Sequence, residues 1–153
     1  MTVRDPFVEM SRAGRKWVLT TGDEVTLAGS AYFLYVANDA GQGDIWIPHI
    51  HVNATAAGIF TLEVVTGTAA GGSAPTAKAG RVGDAVMTGI TTRMHTAITG
   101  LTGGDIVASG GRGAGGDPEL VHEVHGLILP AGFALAIQFD TAADVSAEIH
   151  MVR

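Results

Sequence analysis

Apolar residues recur in this chain at every second position within short segments, and no run of a dozen residues carries an apolar stripe of helical period. Ala31-Tyr-Phe-Leu-Tyr-Val36, Asp44-Ile-Trp-Ile-Pro-His-Ile-His-Val52 and Gly58-Ile-Phe-Thr-Leu-Glu-Val-Val65 are rich in β-branched and aromatic residues and are separated by Gly, Asn and Asp. Further strands are expected over residues 16–20, 24–27, 85–90, 119–129, 133–140 and 145–152, with turns at Thr21-Gly-Asp23, Asn38-Asp-Ala-Gly-Gln-Gly43 and Pro130-Ala-Gly132. Eight to ten short strands without helices fold as a sandwich or a barrel. A length of 153 residues fits one such domain.

Composition narrows the classes. The chain is 46% hydrophobic and 16% charged, against roughly 25% charged in ordinary soluble domains, which excludes disorder. It has no cysteine, so disulfide frameworks, thiol catalysis and thiolate metal sites are excluded. The first ten residues contain no apolar core of a secretory signal, and the apolar run 126–137 is short for a membrane helix and broken by Pro130, so synthesis in a cytoplasm and no membrane partner are expected. Charge is uneven. Arg4, Arg12, Arg15 and Lys16 outweigh Asp5 and Glu9 in residues 1–16 by two, and the rest of the chain carries a net −8. An acidic body repels phosphate backbones, so nucleic acid is not an expected partner.

Four motifs bear on chemistry. On a regular strand His49 and His51 share one face with Ile45 and Ile47, opposite Trp46, Pro48, Ile50 and Val52. The spacing Gly43-(x)5-His49-x-His51 resembles the start of the cupin metal motif, but Thr55 and Ala56 stand where that family carries Glu. Leu135 stands where its third His follows the Pro130-Ala-Gly132 turn. Two ligands of four are missing, so no metal and no cofactor are expected, with His49 and His51 the weak candidates. His122-Glu-Val-His125 lacks the helical four-residue spacing of zincins, and two strand residues three apart face opposite ways. Gly111-x-Gly113-x-x-Gly116 runs straight into Asp117-Pro118 and opens no helix, so it is no dinucleotide fingerprint. Asn53-Ala-Thr55 is a glycosylation triplet without a secretory route. No nucleophile elbow or P-loop occurs, so an enzyme is not expected.

The order of features carries more than any motif. Arg15-Lys-Trp-Val-Leu leads to Ala31-Tyr-Phe-Leu-Tyr-Val-Ala-Asn and to the Asp-Ile-Trp-Ile-Pro-His-Ile-His strand; a long Gly/Ala/Thr-rich excursion follows. Gly126-Leu-Ile-Leu-Pro-Ala-Gly-Phe-Ala-Leu-Ala-Ile and Val145-Ser-Ala-Glu-Ile-His-Met-Val close the chain. Over residues 15–153 this resembles the jelly-roll head decoration (cement) proteins of tailed bacteriophages. The resemblance implies an all-β, jelly-roll-like antiparallel β-sandwich and a homotrimer on the exterior of the virion's capsid. It also implies the major capsid protein as partner, with neighbouring capsid subunits clamped together. Residues 1–14 are expected to form an extended arm, in which Arg4, Phe7, Val8, Met10 and Arg12, with Arg15 at its base, reach a neighbour. Residues 67–83 and 100–118 are expected to be long glycine-rich loops. Three other classes compete. A trimeric tail-associated or receptor-binding sandwich would share the fold, and a degenerate cupin-like metalloprotein would bind metal. A carbohydrate-binding sandwich would favour exposed aromatics, whereas both Trp and both Tyr fall in expected strands.

Overall fold

The computed structural model describes residues 15–80, 83–112 and 120–153. Ten strands follow in order: β1 (Lys16–Thr20), β2 (Val25–Leu27), β3 (Ala31–Asn38), β4 (Ile45–Ala54), β5 (Gly58–Ala70), β6 (Lys78–Ala79), β7 (Ile90–Arg112), β8 (Leu120–Leu129), β9 (Ala134–Phe139) and β10 (Ala143–Val152). Among the described residues there is no helix. The strands form two antiparallel sheets packed as a sandwich. One has the order β6-β1-β10-β4-β8, with β2 also beside β10; the other contains β3, β9, β5 and β7. Apart from the short β2 and β6, pairing is nested: β1 with β10, β3 with β9, β4 with β8, β5 with β7. A hairpin rolled up in this way, first strand on last and so on inward, is a jelly roll.

The inner faces meet in one core. Leu19, Ile45, Ile47, Ile149 and Met151 from the first sheet face Phe33, Leu34, Leu135, Ile137 and Phe139 from the second, and each is at most 2% exposed. The Phe60 ring packs between Phe33 and Phe139, with ring centroids 6.2 and 4.5 Å away. Full burial of each such side chain contributes about 1.5–3 kcal/mol.

Strand β4 departs from the strict alternation expected of it. Ile45 and Ile47 are buried together with Ile50, Val52 and Ala54, while His49, His51 and Asn53 lie on the other face. The cause is a bulge around Pro48. Between the pairs Ile149–Ile50 and Val152–Trp46 β4 advances one residue more than β10. An extra residue reverses which positions face inward, and proline, having no N–H for the ladder, belongs at such a break. Ile45 and Ile47 therefore share a face with Ile50 and Val52, not with the histidines.

The larger departure is β7. Residues 85–89, expected in a strand, precede β7, and residues 100–112, expected in a loop, are its second half. A straight strand of 23 residues would span about 75 Å. Instead β7 bends, pairing with β3 through Ile90–Ile98 and with β5 through Thr99–Arg112, and so closes the second sheet into a small barrel, β3-β7-β5-β9. The bend depends on glycine. Gly67 and Gly100 have φ of 101° and 77°, and a Cβ on either would sit 2.3 Å from a backbone oxygen, that of Gly100 or of Thr68. Of the other expected loop, residues 67–70 are the end of β5, and after it the short β6 pairs with β1. The barrel encloses a second apolar cluster, Tyr35, Val65, Ile98 and Ala136, flanked by Tyr32, Ala37, Ala69, Leu101 and Ala134. The second sheet is thus apolar on both faces, one towards the sandwich and one towards the barrel.

Candidate functional site

Of the residues expected in the arm, Arg4, Phe7, Val8, Met10 and Arg12 lie outside the described residues. Arg15 is exposed just before β1, and its carbonyl accepts the Arg153 N–H at 3.3 Å. Arg15 is therefore tied to Arg153.

His49 and His51 do share a face, as their spacing requires, and it is the face of β4 turned away from the core. The register that sets Ile149 opposite Ile50 and Glu148 opposite His51 brings His150 of β10 between them. The His51 and His150 rings stack, with centroids 5.3 Å apart, and His49 meets His150 edge-on at 6.0 Å. One nitrogen of His150, Nε2, contacts Glu148 Oε1, while Nδ1 is buried without a hydrogen-bond partner. Burial pushes the His150 pKa down from its ordinary value and outweighs the opposing pull of Glu148; the charges of Lys16 and His51 push the same way as burial. The cluster is built to hold His150 neutral. Among the described residues no three His, Asp or Glu side chains gather in a way that could hold a metal ion.

His122 and His125 lie on β8, whose backbone is irregular there: Ile47 pairs with Leu127 and His49 with Glu123. The side chains of residues 121–126 lie outside the description. Gly111 sits within β7, so no helix follows it directly, and residues 113–119 lie outside the description. Asn53 is half-buried on β4.

A second site was not legible in the sequence. At the mouth of the small barrel is an open cleft of about 510 Å³. Its size lies within the range of small-ligand sites, about 300–1,000 Å³. Its floor is the barrel-side face of the second sheet. There Ala37 pairs with Ala134 and Ala134 with Val65, and small side chains at the centre leave a depression. The tail of β5, with Thr66 and Thr68, rises along one side. Arg93 stands opposite Tyr35 across the β3–β7 ladder, and Thr91 opposite Ala37. Asp39, just past the end of β3, accepts a 2.9 Å hydrogen bond from the Thr91 hydroxyl. Tyr35 is 7% exposed, and burial first, then the negative charge of Asp39, pushes its pKa up. Arg93 is half-buried, and its Nε is buried without a partner. Nothing in the local sequence around Arg93 marks it, because the strand that carries it is recognisable only from its pairing.

Comparison with family models, with curated proteins and with solved structures gives no match for this chain.

Proposed function

We propose that the protein is a non-enzymatic decoration (cement) protein of a tailed-bacteriophage head, binding the outer face of the capsid as a homotrimer and stabilising contacts between major capsid subunits. One observation carries this: the segments whose order resembles that family are the ones that pair as a nested jelly roll, the fold the family resemblance implies. The surface lends support. Ile128 is 56% exposed and pairs across the ladder with half-buried Trp46, and Phe133, in the Pro130-Ala-Gly132 turn region, is 53% exposed. Apolar side chains left in water on a chain with few charges are what an oligomer or a capsid surface would cover. A basic segment ahead of an acidic body suits an attachment arm whose arginines meet carboxylates on a neighbour.

The test is cosedimentation with phage heads, alongside light scattering for the trimer. The intact chain is expected to pellet with heads, less so as salt rises. A chain lacking residues 1–14 is expected to melt cooperatively but stay in the supernatant. Wild-type binding by the truncated chain would remove the arm from the mechanism. Recovery with tails instead of heads would replace the proposal with a trimeric tail-associated or receptor-binding protein, a second possibility favoured by the open cleft at the barrel mouth. The cupin-like possibility gains no support from histidines that face away from the core.

A further inference from the structure

We infer that the cleft at the mouth of the small barrel binds an acidic sugar, with Arg93 taking its carboxylate and Asp39 and the threonines its hydroxyls. The argument begins with Arg93. Among the described residues its guanidinium makes no hydrogen bond or ion pair, and its Nε is buried and unpartnered. A half-buried guanidinium in that state is a standing demand for an acceptor, and a carboxylate is the planar, bidentate match. Asp39 lies just past the end of β3, four residues beyond Tyr35, the residue that Arg93 faces across the ladder. The cleft thus has a cation towards one end and a carboxylate, already oriented by Thr91, towards the other.

Between these ends lies an alanine floor, Ala37 and Ala134, with Thr66 and Thr68 along the side. A flat apolar floor rimmed by hydroxyls and one carboxylate suits a ring with apolar C–H faces and hydroxyl edges. The carboxylate group of such a ring satisfies Arg93. A peptide is a poorer fit. The floor strands β3 and β9 are paired on both sides, so the cleft has no free strand edge to which an extended chain could add. Recognition here rests on Arg93, Asp39 and the threonine hydroxyls, not on exposed aromatic rings, which is why the placement of Trp and Tyr in strands did not reveal it.

The experiment uses the full chain and titrates tetragalacturonate, followed by calorimetry and by amide NMR shifts. A neutral galactose tetramer and a short polyglutamate peptide serve as comparison ligands. Saturable binding of tetragalacturonate is expected, with shifts at Tyr35, Thr66, Thr68 and Arg93 and no response to the neutral tetramer. Arg93→Gln is expected to weaken binding at least tenfold without lowering the melting temperature, because among the described residues the arginine makes no internal bond. Ala37→Leu, which fills the floor but keeps the charge, is expected to weaken it as much, separating binding in the cleft from simple charge attraction. The inference is overturned if tetragalacturonate does not saturate, if the neutral tetramer binds equally, or if both variants bind like wild type. It is also overturned if polyglutamate binds the cleft as tightly as the sugar, which would make the ligand a peptide. None of these outcomes bears on cosedimentation with heads.

Discussion

The Tyr32 hydroxyl donates a 2.6 Å hydrogen bond to Oε2 of Glu63, joining β3 to β5. Between these two strands in the sheet lies β9, which pairs with both. Glu63 is 8% exposed, and its other oxygen accepts from the Thr61 hydroxyl at 3.1 Å. This buried carboxylate sits where β7 bends past, so close that a Cβ on Gly103 would lie 2.5 Å from Glu63 Oε2 and 2.7 Å from the Tyr32 oxygen. The pair therefore couples the bend of β7 to the rest of the barrel.

Tyr32→Phe leaves a buried carboxylate one donor short, and is expected to cost about 1–3 kcal/mol of unfolding free energy, read from urea denaturation. A pH scan checks the same contact. Burial first, and then Glu63, pushes the Tyr32 pKa from 10.0 up to about 12. A raised folded pKa means that the contribution of Tyr32 is fully present below pH 10 and is lost as pH rises from 10 towards 12. Stability should fall over that window in the wild type and fall less in Tyr32→Phe. Parallel curves would show that the hydroxyl does not couple to the carboxylate.

Gly100→Ala should be far more damaging than Gly111→Ala, although both lie in β7. At Gly100 the backbone has positive φ and a Cβ would strike the Thr68 oxygen; at Gly111 a Cβ meets nothing within 4 Å. The first change is expected to cost at least about 2 kcal/mol and the second to stay within about 0.5 kcal/mol. Equal effects in thermal unfolding would mean that the bend tolerates a side chain.

The contrast between these glycines explains what the sequence could and could not reveal. The alternation of Val145, Ala147, Ile149 and Met151 was legible because a half-buried strand writes its period into its residues. The second half of β7 was hidden because Gly100, Gly103 and Gly104 read as loop in one dimension. In the fold they are required by the approach of the Thr68 oxygen, the Glu63 carboxylate and the Val64 oxygen. Arg93 and the cleft were lost with that strand. The phase of β4 failed at Pro48, where one inserted residue reverses the faces. His150 was visible as an outward residue of β10, but its meeting with His49 and His51 depends on the β4–β10 register, a long-range property that no local pattern carries.

Asn38 offers a test of how the ends of the strands are held. It is 1% exposed; its Nδ2 donates to the carbonyls of Gly43 and Leu129, each at 3.0 Å, and its Oδ1 accepts from Arg153 Nη2 at 2.7 Å. One side chain thus satisfies groups from the segment entering β4, the end of β8 and the chain terminus. Asn38→Leu is expected to cost roughly 2–4 kcal/mol, because the buried bond to the Leu129 carbonyl and the part-buried bonds to the Gly43 carbonyl and Arg153 are lost together. Asn38→Asp retains the arginine bond but turns an acceptor towards two carbonyls, so it should not rescue stability. A midpoint of denaturation close to wild type in Asn38→Leu would show that water replaces the side chain.

His150 is expected to make the chain's stability sensitive to mild acid. Burial favours the neutral form of His150; with Nε2 engaged by Glu148, a second proton must go to Nδ1, which is buried without a hydrogen-bond partner. Its folded pKa therefore lies below the ordinary value of 6.5, with burial as the main cause and Lys16 and His51 adding to it. The sign follows. Above pH 6.5 the imidazole is neutral in both folded and unfolded chains and imposes no penalty. As pH falls below 6.5, the unfolded chain takes up the proton first, and stability declines until the folded pKa is reached. The melting temperature should therefore drop between pH 7 and pH 5, and His150→Gln, which has no such equilibrium, should reduce the drop. Glu148→Gln should deepen it, since Glu148 favours the charged imidazole. Adding a chelator at pH 7 should leave the melting temperature unchanged, whereas a metal on His49 and His51 would make it fall on chelation. A wild-type melting temperature that is flat from pH 7 to pH 5, or a drop unchanged in His150→Gln, would remove this histidine from the acid response.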